Sequence, residues 1–572
     1  MKNNLDKMRH STAHLMAYAV KKLYSDVRIA IGPVIENGFY YDFEFKNPIS
    51  EKDLLIIENK MKDIKKENLL FTQKWISIKQ AKQLFKNEKY KLEIIKEIEK
   101  GERDDFGKKG KVSIYKLGEF TDLCKGPHLK NTKEIGEFKL LSIAGAYWKG
   151  DEKQPMLQRI YGVCFDSQKE LNQHLWQLNE AKKRDHRLLG QKLELFMFDD
   201  EVGQGLPLWL PKGAFVYHKI MEFAFNTYLE RGYQPVVSPH IASEVLWKHS
   251  GHLDFYKDEM YRSFGIEKEK YRLKPMNCPF HVKMYKLRPR SYKELPIRWA
   301  EMGTVYRYEK SGVLHGLTRV RGFTQDDAHI ICRPDQLYDE LVKALKLTLY
   351  ILGSFGFKDF EISLSTRDPK NKDKFIGNNE SWEKAEETLK KAMKNIGYNK
   401  FVLDIGGAVF YGPKIDIKIA DSLGRKWQLS TIQVDFNLPG RFKMSYISKV
   451  GKELEPFMIH RALLGSLERF MGVYIEHVNG AFPVWLSPIQ VDILPISDKF
   501  LKYAQIIHKE LKENDIRSEV KPENKTLGSK IRTSTLQKTP YMIIIGEKEN
   551  KSFLKSKINT KIMNISVRTR EG

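Results

Sequence analysis

The chain has 572 residues, too many for one compact domain and enough for about three, each able to bury its own core. Lysine and arginine number 98 against 73 aspartate and glutamate, a formal net charge of +25 that favours a polyanionic partner such as nucleic acid, although lysine scattered among isoleucine and asparagine inflates the excess. The cysteines Cys124, Cys164, Cys278 and Cys332 form no close-paired framework and no N-terminal apolar stretch is long enough for a signal or a span, so a disulfide scaffold and a membrane protein are set aside and a cytoplasmic protein is expected.

From Met8 to Leu23 the pattern MRHSTAHLMAYAVKKL has helical spacing, and His10 and His14 fall at i and i+4 on one face, a metal or catalytic signature of modest specificity. Between Ile29 and Phe45, Gly-Pro and Asn-Gly turns separate β-rich runs, which predicts a strand and a hairpin; a charged helix follows from about Glu51 to Glu67. The stretch TDLCKGPHL, Thr121 to Leu129, sets Cys124 and His128 close together around Gly126-Pro127. Two histidines with a cysteine and a third histidine suit a four-ligand zinc site and a hydrolytic pocket equally. Gln168 to Lys192 is polar and free of proline, a single linker helix. Ala214 to Arg231 predicts a helix closed by Gly232, and the strand behind it carries Pro239, which fits an edge or an interface. In YRLKPMNCPFHVKMY, from Tyr271, prolines 275 and 279 hold Cys278 in a loop; a lone cysteine there is more often buried filler than a ligand.

Arg298 to Cys332 reads RWAEMGTVYRYEKSGVLHGLTRVRGFTQDDAHIIC and predicts a hairpin turning at Ser311-Gly312, with a second arginine-bearing run from Leu317 to Phe323. Strand alternation puts Gln325, Asp327 and His329 on one face, a pocket wall. Arginine forks at Arg307 and Arg319 suit phosphate oxygens, and Phe323 with an arginine can sandwich a base, so ATP is the simplest ligand. No G-x-x-x-x-G-K-[ST] loop is present, which sets P-loop chemistry aside. Farther on, Thr431, Gln433 and Asp435 alternate along Trp427 to Asp435, Tyr411 and Lys414 flank the preceding turn, and MIHRALLGSLERFMGVYIE puts His460 at the start of an amphipathic helix with Arg469 along it. After Pro488 strands and helices alternate as in a small α/β domain.

The run Arg307-Tyr308-Glu309, the loop, then Arg319-Val320-Arg321-Gly322-Phe323-Thr324-Gln325-Asp326-Asp327-Ala328-His329 resembles motif 2 of the class II aminoacyl-tRNA synthetases, in the wording of the threonyl-tRNA synthetase family, and the likeness extends over almost the whole chain. It implies an α+β multidomain protein: an editing domain at 1–166, a linker helix at 167–192, a catalytic domain built on the class II antiparallel sheet at 193–486, and an α/β anticodon-binding domain at 487–572. The implied activity is ATP-dependent ligation of L-threonine to tRNA(Thr) through a threonyl-adenylate, with hydrolysis of seryl-tRNA(Thr). By family role Arg307, Arg319, Arg469, Asp327 and Gln325 are catalytic. Arg307, Glu309, Arg319, Phe323, Gln428, Thr431 and Arg469 hold ATP with Mg2+, and Met276, Asp327, Tyr411, Lys414 and Gln433 line the substrate site. Cys278, His329 and His460 hold one Zn2+ per subunit of a homodimer. The editing positions are His10, His14, Lys91, Tyr115, Asp122, Cys124 and His128, expected to work on a positioned water without a tight metal, with a structural zinc as the other reading. Departures are Leu429-Ser430, where the family usually has Cys-Gly, and Lys521, Pro522, Glu523, Lys525 and Thr526 in the anticodon-binding block. The small N-terminal ubiquitin-like domain and a closing helix are also expected to be lacking, and anticodon discrimination to be weaker. A relative that binds RNA without charging it usually loses an arginine or a zinc ligand, and all six stand here; a stand-alone deacylase would leave everything from Leu193 onward superfluous.

Overall fold

The computed structural model describes residues 4–35, 38–103, 107–108, 110–371, 375–409, 411–550 and 567–569, in two compact units, Met1–Asn179 and Glu180–Gly572. In the first, the helix Asn4–Leu23 is buried over most of its length, from Met8 through Val20 apart from His10. Its apolar residues share a core with Ile57, Met61 and Ile64 of the helix Asp53–Lys66 and with Phe39, Tyr41 and Phe43 of the strand Gly38–Glu44. That strand pairs antiparallel with Met156–Phe165, which pairs in turn with Glu137–Tyr147. The expected hairpin is present, Val34–Ile35 against Gly38–Glu44, while Asn37 of its turn lies outside the described residues. A second sheet places Phe120–Leu123 beside Lys111–Leu117, which delivers Asp122 and Cys124.

The second unit is organised by an eight-stranded sheet in the order Gln234–Pro235, Ile297–Tyr306, Gly322–Cys332, Phe457–Ser466, Lys426–Asp435, Lys414–Ala420, Phe360–Thr366, Val402–Ile405, antiparallel except for the pairings at its two edges. Period-two alternation divides its labour. Ala328, Ile330, Ile432, Val434, Ile459 and Leu463 pack on the helices Pro211–Glu230, Leu337–Ser354, Asn379–Asn395 and Leu467–His477, and the residues between them face a cleft. A smaller, mixed four-stranded sheet follows, with Val491–Pro495 parallel to Ser518–Val520 on one side and to Tyr541–Ile545 on the other, Val567–Thr569 antiparallel to Tyr541–Ile545, and helices Leu501–Glu513 and Leu527–Leu536.

Several local expectations are corrected. The polar stretch after Ser167 forms two helices, Gln168–Lys183 and His186–Lys192, because Asp185 turns out of helical geometry and caps the second by accepting from the Arg187 amide. Pro239 lies beyond its strand, which ends at Pro235 on the sheet edge, where a residue without an N–H is tolerated. Cys278 opens the helix Cys278–Tyr285 instead of sitting in a loop, since Pro279 occupies a first-turn position whose amide would be unsatisfied anyway. His460 is on the strand Phe457–Ser466, and only Arg469 is helical: β-branched and apolar alternation continues through Ile459 and stops at Ser466, whose hydroxyl caps the helix Leu467–His477. Arg307 and Arg319 both fall in the connection between Tyr306 and Gly322, not on the strands.

Candidate functional sites

The cleft over the large sheet has a volume of about 430 Å³. All sixteen residues expected for catalysis, nucleotide, substrate and metal in this unit line it, together with Tyr256, which the sequence reading missed. Gln428 reaches it through a local irregularity. Ile417 pairs with Ser430 and Lys418 with Gln428, so Leu429 is an extra residue and the bulge turns Gln428 to the same side as Thr431 and Gln433. A larger irregularity opposite Gln325 and Asp327 displaces the end of Phe457–Ser466. The buried carboxylate of Asp326 accepts the amides of Leu463, Leu464 and Gly465 at 2.9 to 3.1 Å and a hydrogen bond from the Tyr228 hydroxyl at 2.5 Å. Gly465 has φ of 75°, and a Cβ there would lie 2.5 Å from the Leu429 carbonyl oxygen, so the irregularity requires glycine.

At one end of the cleft the charges are cationic. The Arg307 guanidinium carbon lies 5.1 Å from the Phe323 ring centre and 5.7 Å from that of Tyr256, and its buried Nε has no hydrogen-bond partner among the described residues. Burial, then the charges of Arg307 and Arg319, lower the Arg469 guanidinium from its ordinary value. Arg469 donates to the Thr318 carbonyl at 3.0 Å and Arg319 to Glu309 at 3.0 Å. Three guanidinium groups with a buried unpaired donor make a site that a polyphosphate would complete.

At the other end Cys278, His329 and His460 offer donor atoms all within 4.8 Å of one another. His460 Nε2 faces Asp435 at 2.8 Å, and His329 Nδ1 faces His281 at 2.8 Å, whose Nε2 meets Glu301 at 3.0 Å. One thiol, two imidazoles and carboxylate support behind each ring is the donor set and outer shell of a three-ligand zinc site, so these residues fit that ion. Burial, then Asp327 and Asp435, hold the Cys278 thiol well above its usual range, a cost that a bound cation would relieve. Asp327, beside the trio, takes a 3.0 Å hydrogen bond from Asn277 and keeps its other oxygen toward His329 at 3.8 Å.

The first unit holds a separate cavity of about 240 Å³ lined by His10, His14, Lys91, Asp122 and Cys124 among others. Cys124 Sγ lies 3.3 Å from His10 Nε2 and 3.2 Å from His128 Nε2, and the Tyr115 ring centre is 4.5 Å from that of His128. Burial lowers His14 and His128 well below the usual imidazole value, neighbouring histidines add to it, and burial pushes the Cys124 thiol up to about 12. Cys124 is therefore a protonated thiol beside the neutral imidazoles of His14 and His128. Asp122 is held by Lys91 at 2.5 Å and by the hydroxyl of Tyr41 at 2.6 Å. Tyr41 and Ser11, which meets His128 Nδ1 at 3.1 Å, were not singled out in the sequence: Tyr41 reads there as part of a β-rich run and Ser11 as part of the helical pattern that carries His10 and His14.

Comparison with known proteins decides the family. The tRNA synthetase class II core domain (G, H, P, S and T) matches residues 261–478, the threonyl and alanyl tRNA synthetase second additional domain matches 112–161, and an anticodon binding domain matches 490–569. A threonine–tRNA ligase from a Sulfurihydrogenibium species is 52% identical over 554 residues, spanning 96% of this chain and 84% of the relative. One from Dehalococcoides mccartyi is 49% identical over 570 residues, 100% of this chain and 94% of the relative. The chain belongs to the threonine–tRNA ligase family. Among solved structures, the RNA binding domain of a threonyl-tRNA synthetase from Cryptosporidium parvum superposes with a TM-score of 0.62 at 43% identity, over 68% of this chain and 93% of that one. A threonyl-tRNA synthetase from Aeropyrum pernix gives 0.58 at 34%, over 64% and 86%. The class II core of this threonine–tRNA ligase family member thus contains the arginine-lined cleft, and the match to the second additional domain, with its editing function, runs from Val112 through Tyr161 and includes Tyr115, Asp122, Cys124 and His128.

Proposed function

We propose that the chain activates L-threonine with ATP, transfers it to tRNA(Thr), and hydrolyses seryl-tRNA(Thr) at its second site. The observation that carries this reading is the meeting of Cys278, His329 and His460 in one cleft with Arg307, Arg319 and Arg469. Arg307 bridges the substrate carboxylate and the ATP α-phosphate, fixing an in-line approach, and Arg319 and Arg469 grip the outer phosphates, which with magnesium lowers the barrier by positioning and charge. Phe323 stacks on the adenine, Glu309 meets its edge, and Gln428 and Thr431 complete the nucleotide side, with Gln325 beside the reacting groups. Asp327 takes the ammonium, and Met276, Tyr411, Lys414 and Gln433 close around the side chain. A zinc ion held by Cys278, His329 and His460, one per subunit, would supply a Lewis acid open to the amine and hydroxyl of threonine. Serine offers the same pair of groups, which gives the second cavity its purpose: His10, His14, Cys124 and His128, with Lys91, Tyr115 and Asp122, position a water without a tight metal.

The division into editing (1–166), linker (167–192), catalytic (193–486) and anticodon-binding (487–572) parts belongs to this proposal. So do a homodimer and a cytoplasmic location. No helix among the described residues is long and apolar enough to cross a membrane. Charging of tRNA(Thr) with labelled threonine and release of serine from seryl-tRNA(Thr) test the two halves separately; absence of threonine charging rejects the first, and stable seryl-tRNA the second.

A further inference from the structure

His186 is completely buried and belongs to none of the sites above. Its Nδ1 lies 2.6 Å from Glu476 Oε1, which also accepts the His186 amide at 3.0 Å, and its Nε2 accepts the backbone amide of Leu317 at 3.0 Å. Asp185, His186 and Glu476 have the spacing of a metal group, but both ring nitrogens already have partners. Burial pushes the Glu476 carboxyl up; hydrogen bonds from the His186 side chain and amide, with the Arg425 charge, outweigh it and leave the group below its ordinary value. A carboxylate that only accepts fixes the proton on Nδ1 and leaves Nε2 an acceptor, the tautomer that the Leu317 amide requires.

Leu317 sits where the nucleotide loop turns back. His315 and Arg319 exchange a bridge around it, the Thr318 carbonyl accepts from Arg469, and Arg319 is two residues on. Gly316, at φ of 46°, passes so close that a Cβ there would lie 2.2 Å from His186 Nε2. The loop between Tyr306 and Gly322 is tied at its ends by the Arg307 amide to the Arg321 carbonyl, the Tyr308 amide to the Glu259 carbonyl and the Arg321 amide to the Gly205 carbonyl, and the His186 contact fixes the turn between them, next to Arg319 and the Thr318 carbonyl that holds Arg469.

We infer that His186 is a positioning residue for nucleotide binding: anchored on Glu476, it pins the Leu317 amide and thereby sets Arg319 and the Thr318 carbonyl that orients Arg469. The inference rests on the nucleotide reading of the cleft, and the two fail differently. Equilibrium binding of Mg·ATP and, separately, of threonine to the full chain gives the readout. His186→Leu removes the acceptor and Gly316→Ala displaces the loop while keeping the histidine; each weakens ATP about tenfold, the worth of one buried hydrogen bond, and leaves threonine within about twofold. His186→Gln, whose amide both accepts and donates, keeps ATP binding within about threefold of the unchanged chain. Unaltered ATP binding in His186→Leu overturns the inference. So does equal weakening of ATP and threonine, or a glutamine variant as poor as leucine. If His186→Leu does not fold, Gly316→Ala decides by the same criteria. An unchanged chain that binds ATP yet performs no threonine activation refutes the functional reading alone, and one that binds no ATP refutes both.

Discussion

At the scale of single residues the chemistry depends on groups whose native surroundings leave them incomplete. Arg307 holds a buried Nε without a partner among the described residues, between Phe323 and Tyr256, a penalty that an acceptor oxygen of a bound ligand removes. Arg307→Ala is expected to lower threonine-dependent ATP–pyrophosphate exchange by about a hundredfold to a thousandfold while circular dichroism stays unchanged. The imidazole of His460 is oriented by Asp435, a contact from the neighbouring strand. Asp435→Asn should weaken zinc retention by about ten- to a hundredfold in chelator competition, a measure independent of catalysis; equal retention in the two proteins would show that the carboxylate plays no supporting part.

At the scale of elements, the strand Gly322–Cys332 and the helix Leu467–His477 share a buried carboxylate, Glu468. It accepts the Thr324 amide at 2.9 Å and hydrogen bonds from Tyr217 at 3.1 Å and Ser466 at 3.1 Å. Burial raises it to about 7, against 4.5 in the unfolded chain, and these hydrogen bonds offset only part of the rise. The native state therefore binds the extra proton: the contribution is full below pH 4.5 and is lost as pH climbs through about 7, on the order of 3 kcal/mol for such a shift. Relative to the parent, Glu468→Gln should melt progressively higher as pH goes from 5 to 8; a constant difference in melting temperature across that range would remove Glu468 as the cause. What the sequence made legible at this scale follows from period two. Gln325, Asp327 and His329 were readable as one face because the strand is regular there, and Thr431, Gln433 and Asp435 likewise. Gln428 was not, because a bulge reverses its side, and His460 was misplaced because its apolar neighbours fit a helical stripe as well as a strand. Asp326, adjacent to Asp327, points the opposite way and holds backbone amides, a role that no spacing reveals.

At the scale of the molecule, two sites of different chemistry lie in separate compact units, one with three arginines and an open donor trio and one with a buried thiol among histidines. That Cys278, His329 and His460 converge was implied only by resemblance, since they lie far apart in sequence and the sheet order alone brings their strands and helix together. Loss of editing should be separable from charging: His10→Ala is expected to slow hydrolysis of seryl-tRNA(Thr) by about a hundredfold or more and to leave the rate of threonine charging unchanged. Parallel loss of both would mean that the two units do not act as independent sites. The most direct measurement is ATP–pyrophosphate exchange with threonine, serine and valine in turn. A cleft that recognises the hydroxyl beside the amine supports exchange with threonine and serine and rejects valine by about ten-thousandfold. Valine exchange within about a hundredfold of threonine, the discrimination of a merely apolar pocket, would contradict it.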